Sequence, residues 1–413
     1  MRHGRTMSRP DPIRLLFLAF GYSIHAHRRV RVFSEDPDFR VHLVSNHPYE
    51  IENVSVTVLN GPAGLVRARN HLPQYARAVA RLLGENGVGQ VSNELFQEMV
   101  TQQFAYRQLL RAVRQFRPDA LFLQTLLYPS YLACLLPQEI PKFITFWNGD
   151  LIWWAQQNQI LKTFKRQIVE RGIQAAAAVT VNSATARSAA AEYGIAPERV
   201  HLIRYPGVDL EHFTPGGKRP ARERLGLGDG PVVLCPRGLG GYLNTDVLME
   251  AACAVARLEP NVTFLFISGV GREKWDEFMQ IPRAMGLESH FRHDGQVAWE
   301  DMPNYYRAAD VMVSPSSNDS QPNCMLEAMA CGASLVMGDI PSIREWVSDG
   351  RNGRLVPPRD AGALAAALVA TLRDGPGQKR MAALNRTLVE DRVDSRTQCA
   401  MVRDMVRETL QRV

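Results

Sequence analysis

Nowhere do the 413 residues contain the roughly 18 consecutive apolar residues that a membrane-crossing helix requires. The six cysteines (Cys134, Cys235, Cys253, Cys324, Cys331 and Cys399) form no C-x-x-C pair, and no histidines cluster at metal-ligand spacing. That scatter excludes a disulfide framework or a structural zinc site and fits a reducing compartment. Short repeats and low-complexity tracts are missing too, since the run Ala175 to Ala178 is too brief to count. A zinc finger, a helix-turn-helix or an aromatic-basic single-strand pattern would be needed to make nucleic acid the expected partner, and none is present. Gly238-Leu239-Gly240-Gly241 does not complete the dinucleotide fingerprint, which excludes an NAD enzyme. The start, MRHGRTMSRPDPIRLLFLAFGYSIHA, has a basic run before apolar residues, but its apolar core spans only Leu15 to Phe20. That is short for a secretory leader and reads equally as a buried strand, so the expected location is cytoplasmic.

The composition, 46% hydrophobic and 22% charged, is that of a globular protein, and the length favours two domains. Apolar runs rich in Val, Leu, Ile and Phe alternate with helical stretches, as in parallel sheets covered on both faces. Strands are expected at Ile13 to Ala19, Val41 to Ser45, Ala120 to Gln124, Phe143 to Phe146, Ala178 to Asn182 and Val200 to Ile203. Helices fit between them at Ser23 to Glu35 and Gln102 to Phe116, with Arg117-Pro118-Asp119 as a break. The stretch from Pro206 to Pro231 is dense in Pro, Gly and charge and separates the halves. Beyond it, strands are expected at Val232 to Cys235, Thr263 to Ser268, Val311 to Ser314 and Ser334 to Met337, with a helix at Thr245 to Leu258. The expected fold is α/β, two doubly wound Rossmann-like domains facing a central cleft. The first covers 1–212 and the second 213–385, and a terminal helix at 386–413 packs back toward the first.

The net charge of +6 is uneven. Residues 1–212 hold 24 Lys and Arg against 17 Asp and Glu, and the remainder holds 24 against 25. A basic first half suits an anionic lipid surface or a phosphorylated acceptor. Arg107, Arg111 and Arg114 lie along one face of their helix, which reads first as a solvated face and second as a peripheral membrane contact.

In open α/β sheets ligands sit beyond the carboxyl ends of the strands, where helix N-termini offer free N–H groups. The segment from Val311 to Val356 is the richest in such features. A strand ends at Ser314, a polar loop runs from Pro315 to Asn323, a helix starts near Cys324, and Gly332 stops it. This spacing places Glu327 in the first helical turn and Asp319 in the loop, with the N–H groups of Ser320, Gln321 and Asn323 between them. Carboxylates accept hydrogen bonds from sugar hydroxyls, while a helix start meets phosphate. Glu327 also has a plainer reading, as an acid complementing the helix dipole.

This segment, with LEAMACG and GDIPSIREWV, resembles the retaining, nucleotide-sugar-dependent glycosyltransferases of family 4. GYSIHAHRRVRVFSE, FWNGD at 146–150, YPGVDLEHFTPG and CPRGLGGYLNTDVLMEA follow the family order from about Ile13 to the last helix. The resemblance implies the two-domain GT-B fold and a nucleotide-diphosphate sugar as donor, with a hexose-type sugar transferred in glycoconjugate or polysaccharide biosynthesis. It implies that Glu327 holds the ribose hydroxyls, that Asp319 contacts the transferred sugar where relatives carry glutamate, and that Arg237 clamps the diphosphate. The donor site so implied comprises Gly21, Arg237, Gly238, Asp319, Ser320, Gln321, Asn323 and Glu327, with Arg237, Asp319 and Glu327 as the catalytic set.

Tyr242 stands where many relatives place a lysine, and the backbone of Gly238, Gly240 and Gly241 is a substitute partner for phosphate. Gly21 permits close approach of the first strand's turn to the donor. His25, Trp147 and Asp150 are acceptor-side candidates, each with a plainer reading: surface histidine, core aromatic and helix cap. The resemblance further implies front-face attack on an oxocarbenium-like sugar, with the leaving phosphate taking the acceptor proton and no enzymic nucleophile. No metal or other cofactor is expected, because Asp36-Pro37-Asp38 reads as a solvated turn. The competing reading, from Asp319 and Tyr242, is a catalytically weakened partner subunit that binds sugar or nucleotide. The base, the sugar, the acceptor and the oligomeric state are left open.

Overall fold

The computed structural model describes residues 11–19, 24–59, 105–125, 130–146, 170, 172–174, 176–267 and 272–412. The chain divides into two compact units, one made of residues 1–181, 186–203 and 401–413, the other of 182–185 and 204–400.

The first unit is built on a seven-stranded sheet: β1 (Ile13–Ala19), β2 (Phe39–Ser45), β3 (Ser55–Val58), β4 (Ala120–Leu123), β5 (Lys142–Thr145), β6 (Ala176–Val181) and β7 (Val200–Leu202). The spatial order is β3-β2-β1-β4-β5-β6-β7, and every pairing is parallel. A central parallel strand is covered on both faces, so its residues are apolar without alternation. Leu15 to Ala19 and Ala120 to Leu123 accordingly show 1% exposure or less. Each Leu or Phe so buried contributes about 2 kcal/mol. Helix Ile24–Ser34 follows β1, and a helix through 105–116 leads into β4. Arg117 ends that helix in a left-handed conformation (φ 49°), and Asp119 receives both the backbone N–H and the guanidinium of Arg14 at the start of β1.

The second unit holds six parallel strands: β8 (Val232–Cys235), β9 (Thr263–Phe266), β10 (Phe291–His293), β11 (Val311–Ser314), β12 (Ser334–Gly338) and β13 (Arg354–Val356), in the order β10-β9-β8-β11-β12-β13. Helix Thr245–Leu258 buries Val247, Leu248, Ala251, Ala252 and Val255 and packs against helix Ala361–Arg373. Helix Asn323–Cys331 is buried from Met325 to Cys331 and packs against helix Gly375–Val393. Gly332 caps it with φ 83°.

The expected strands and the helix Thr245–Leu258 are present, with ends moved by a residue or two. The edge strands β3, β10 and β13 escaped the sequence pattern, being short and of mixed polarity, for example Arg-Leu-Val in β13. Arg107, Arg111 and Arg114 are exposed. Asp36 is not the side chain of a solvated turn: only 12% exposed, it is ion-paired to Arg403 and Arg407, and Asp38 pairs with Arg407 as well. The turn therefore anchors the end of helix Ser395–Arg412 within the first unit. All six cysteines are free thiols. Among the described residues no helix is long and apolar enough to cross a membrane, and no cluster of three metal-ligating side chains occurs.

Candidate functional site

In the second sheet the chain winds outward from β8 through β9 to β10, then returns to place β11 on the other side of β8. The strand order reverses there, and the loops leaving adjacent strands part to open a crevice at their carboxyl ends. The loop after β8 carries Arg237 and the glycines 238, 240 and 241. The loop after β11 carries Asp319 to Gln321 and runs into helix Asn323–Cys331. The topology alone thus brings two segments 80 residues apart in sequence to one place.

Their side chains meet. Arg237 Nη1 lies 2.7 Å from Asp319 Oδ2, both side chains being less than one-fifth exposed, and the other oxygen of Asp319 accepts the Ser320 N–H at 2.8 Å. Arg237 also donates toward the Cys324 sulfur at 4.0 Å. Burial works against the arginine's charge, yet its setting beside Cys324, Asp319 and Tyr242 raises its pKa overall, so the guanidinium is permanently charged. Burial also pushes the Cys324 thiol up to about 11, against the pull of Arg237, so it remains a neutral thiol. Arg237 is accordingly no solvated loop arginine.

Glu327 is the fifth residue of helix Asn323–Cys331, and no acid occupies the first turn. The expected first-turn position is thereby corrected: the helix starts one residue earlier than the sequence suggested, and Glu327 lies beyond the reach of the terminal dipole. A buried partner holds the carboxylate instead. Tyr306, fully buried on helix Met302–Ala308, donates its hydroxyl to Glu327 Oε2 at 2.9 Å. Burial and the neighbouring carboxylate hold the phenol protonated, so it serves as a fixed donor. One carboxylate oxygen is thus oriented by the protein while Glu327 remains 9% exposed.

Ser320 and Gln321 are buried as well, at 3% and 6%. The Ser320 hydroxyl bonds Ser183 and Asn182, and Gln321 Nε2 donates to the Arg204 carbonyl at 3.4 Å. Gln321 Oε1 is buried with no partner among the described residues. Asn323 opens the helix behind Pro322. The loop's position depends on Gly338, the last residue of β12. A Cβ there would lie 2.3 Å from the Ser316 carbonyl oxygen.

The glycine loop after β8 is arranged differently from the sequence expectation. Gly240 has φ 91°, and its N–H donates to Thr245 Oγ1 at 2.8 Å, so this amide is already committed to the start of the next helix. Tyr242 is 44% exposed, and its carbonyl accepts the Ser317 N–H, which ties the two loops together.

Among the acceptor-side candidates, His25 sits in the first turn of helix Ile24–Ser34, directly after β1. Burial, then Arg28 and Arg29, lowers its pKa to about 4, so the imidazole is neutral at physiological pH. Gly21, Trp147 and Asp150 lie outside the described residues. Two side chains beside the site went unnoticed in the sequence, Tyr306 and Lys274. Tyr306 carries no signal, because its role depends on tertiary contact across 21 residues. Lys274 does carry one, since it follows the carboxyl end of β9 as Arg237 follows that of β8.

Charged loops at a strand-order switch point are where open α/β sheets bind their ligands. The model of Glycosyltransferase Family 4 matches residues 65–212, and that of Glycosyl transferases group 1 matches residues 230–374. The chain belongs to this family of glycosyltransferases. A D-inositol 3-phosphate glycosyltransferase of Geodermatophilus obscurus is 37% identical over 195 residues, covering 45% of this chain and 43% of that protein. One from Catenulispora acidiphila is 35% identical over 206 residues, 48% and 47% of the two chains. The match thus spans about half the length of these curated relatives. Among solved structures, HepE of Anabaena in complex with UDP-glucose superposes with a TM-score of 0.73 at 16% identity, over 96% of this chain and all of that one. Sucrose-phosphate synthase of Thermosynechococcus elongatus gives 0.73 at 16% identity, over 97% of this chain and all of that one. The shared fold is GT-B.

Proposed function

We propose that the protein is a retaining glycosyltransferase that moves a hexose-type sugar from a nucleotide-diphosphate sugar to a glycan, lipid-linked or small-molecule acceptor. The observation that carries the reading is the Arg237–Asp319 pair at the β8/β11 switch point, with Glu327 on the helix that follows and all three charges acting on Cys324. In this reading Glu327, oriented by Tyr306, accepts the ribose hydroxyls. Arg237 neutralises the diphosphate and the charge that grows as it leaves. Asp319 keeps Arg237 in place and faces the sugar; being one methylene shorter than glutamate, it leaves more of sugar recognition to the loop around Ser320 and Gln321. Attack occurs on the face the nucleotide leaves, and the departing phosphate takes the acceptor proton, so alignment and exclusion of water are the protein's contribution. The curated relatives' name makes an inositol phosphate one acceptor to try first, in keeping with the basic first half. The neutral His25 is an acceptor-side hydrogen-bonding group in this reading. We place the activity in the cytoplasm, without a resident metal and with peripheral contact to anionic membrane through Arg107, Arg111 and Arg114.

Thermal unfolding with UDP, GDP, ADP and dTDP, with and without EDTA, tests the donor half. A ligand at a hundred times its Kd adds about 2.7 kcal/mol and raises the transition by several degrees. One nucleotide should do so selectively, with EDTA making no difference. A bound nucleotide with no sugar transfer to any acceptor class would favour the weakened-partner reading, and no stabilisation by any nucleotide would overturn the site assignment.

A further inference from the structure

We infer that Lys274 is a second phosphate-binding cation of this site, brought to the glycine loop from the helix after β9. The inference rests on the donor-site reading above. Counted formally, Arg237, Asp319 and Glu327 sum to one negative charge. A nucleoside diphosphate brings at least two more, and in a partly buried crevice a further cation offsets that repulsion. The loop itself supplies none, because Tyr242 is uncharged and the Gly240 amide is spent on Thr245.

Lys274, in helix Arg272–Phe278, fills the gap. Its Nζ lies 2.9 Å, and its Cε 3.2 Å, from where a Cβ of Gly240 would stand. The ammonium is thus laid against the bare face of a glycine whose φ of 91° excludes most side chains. The other arginine beside this loop, Arg359, is already paired with Asp246. Lys274, by contrast, makes no ion pair among the described residues, and its exposure keeps the cost of desolvation small. A lysine on a flexible stem can follow the phosphates as they leave, which a rigid guanidinium fork does less well.

Titration calorimetry of UDP, GDP and ADP, each beside its parent nucleoside, separates this inference from the reading beneath it. Lys274→Met should weaken the diphosphate that binds wild type by about tenfold or more, as expected for a charge-assisted contact, and leave the nucleoside unchanged. Lys274→Arg should retain most of the affinity. Lys274→Met with Tyr242→Lys should regain it, since Tyr242 stands on the same loop and close enough to Arg237 to affect its charge. If wild type binds a diphosphate and Lys274→Met binds it equally well, Lys274 has no such role while the donor site stands. Equal losses for nucleoside and diphosphate would also overturn it, by showing general damage. If wild type binds none of the three, the donor-site reading itself falls.

Discussion

Glu327→Gln separates two consequences of one hydrogen bond. The substitution keeps the volume and one acceptor oxygen but removes the charge, so Tyr306 exchanges a charged partner for a neutral one. From the usual worth of such bonds, the stability loss is about 1 kcal/mol. In a unit the size of the second, that lowers Tm by about 2–4 °C. Binding suffers more. If the carboxylate holds both ribose hydroxyls, the amide keeps one good bond and costs about 2 kcal/mol, or roughly thirtyfold in Kd. Calorimetry should therefore be run with a ribonucleotide and its 2′-deoxy analogue on wild type, Glu327→Gln and Tyr306→Phe. Wild type should prefer the ribonucleotide, Glu327→Gln should lose most of that preference, and Tyr306→Phe should lose less of it because the carboxylate survives unoriented. A preference for the ribonucleotide that survives Glu327→Gln intact would refute the assignment, whatever happened to Tm.

Two further outcomes are accessible from the same geometry. Gly338→Ala forces a methyl group against the Ser316 carbonyl, at 2.3 Å before relaxation. It should destabilise the second unit by about 3 kcal/mol and weaken nucleotide binding by displacing the Pro315 to Pro322 loop; a calorimetric Tm within a degree of wild type would contradict this. His25, lowered to about 4 from the ordinary 6.5, binds its proton more readily in the unfolded chain. Its contribution, of the order of 3 kcal/mol, is fully present above pH 6.5 and is lost as pH falls toward 4. Denaturant unfolding from pH 7.5 to 4.5 should show a smaller loss in His25→Gln than in wild type, the remainder coming from His27, His42 and His201, which burial also lowers, and an NMR titration midpoint for His25 near 6.5 would rule it out.

Much of the frame was legible because parallel strands are buried on both faces and announce themselves as continuous apolar runs, as in Leu15 to Ala19 or Val311 to Ser314. Glycine and proline marked the helix end at Gly332 and the linker before Pro231 for equally local reasons. Three of the four edge strands, β3, β10 and β13, were not legible, since half their contacts are with solvent and their residues need not be apolar; the fourth, β7, was. In the site, Arg237, Asp319 and Glu327 could be named from motif order, but their partners could not. The Arg237–Asp319 ion pair joins loops that only the strand order brings together. The Tyr306 hydroxyl arrives from a helix that no short-range pattern connects to the site. The same blindness made Asp36 look solvated, because the arginines that cover it lie more than 360 residues further on.

That last contact bears on synthesis. Residues 401–413 belong to the first unit, although the whole second unit is translated before them. Until Arg403 and Arg407 leave the ribosome, the unit made first lacks the cations that cover Asp36 and Asp38. The leading unit therefore gains this helix only after the trailing one has emerged. The second unit can close first, and the first is completed when residues 401–413 return to it.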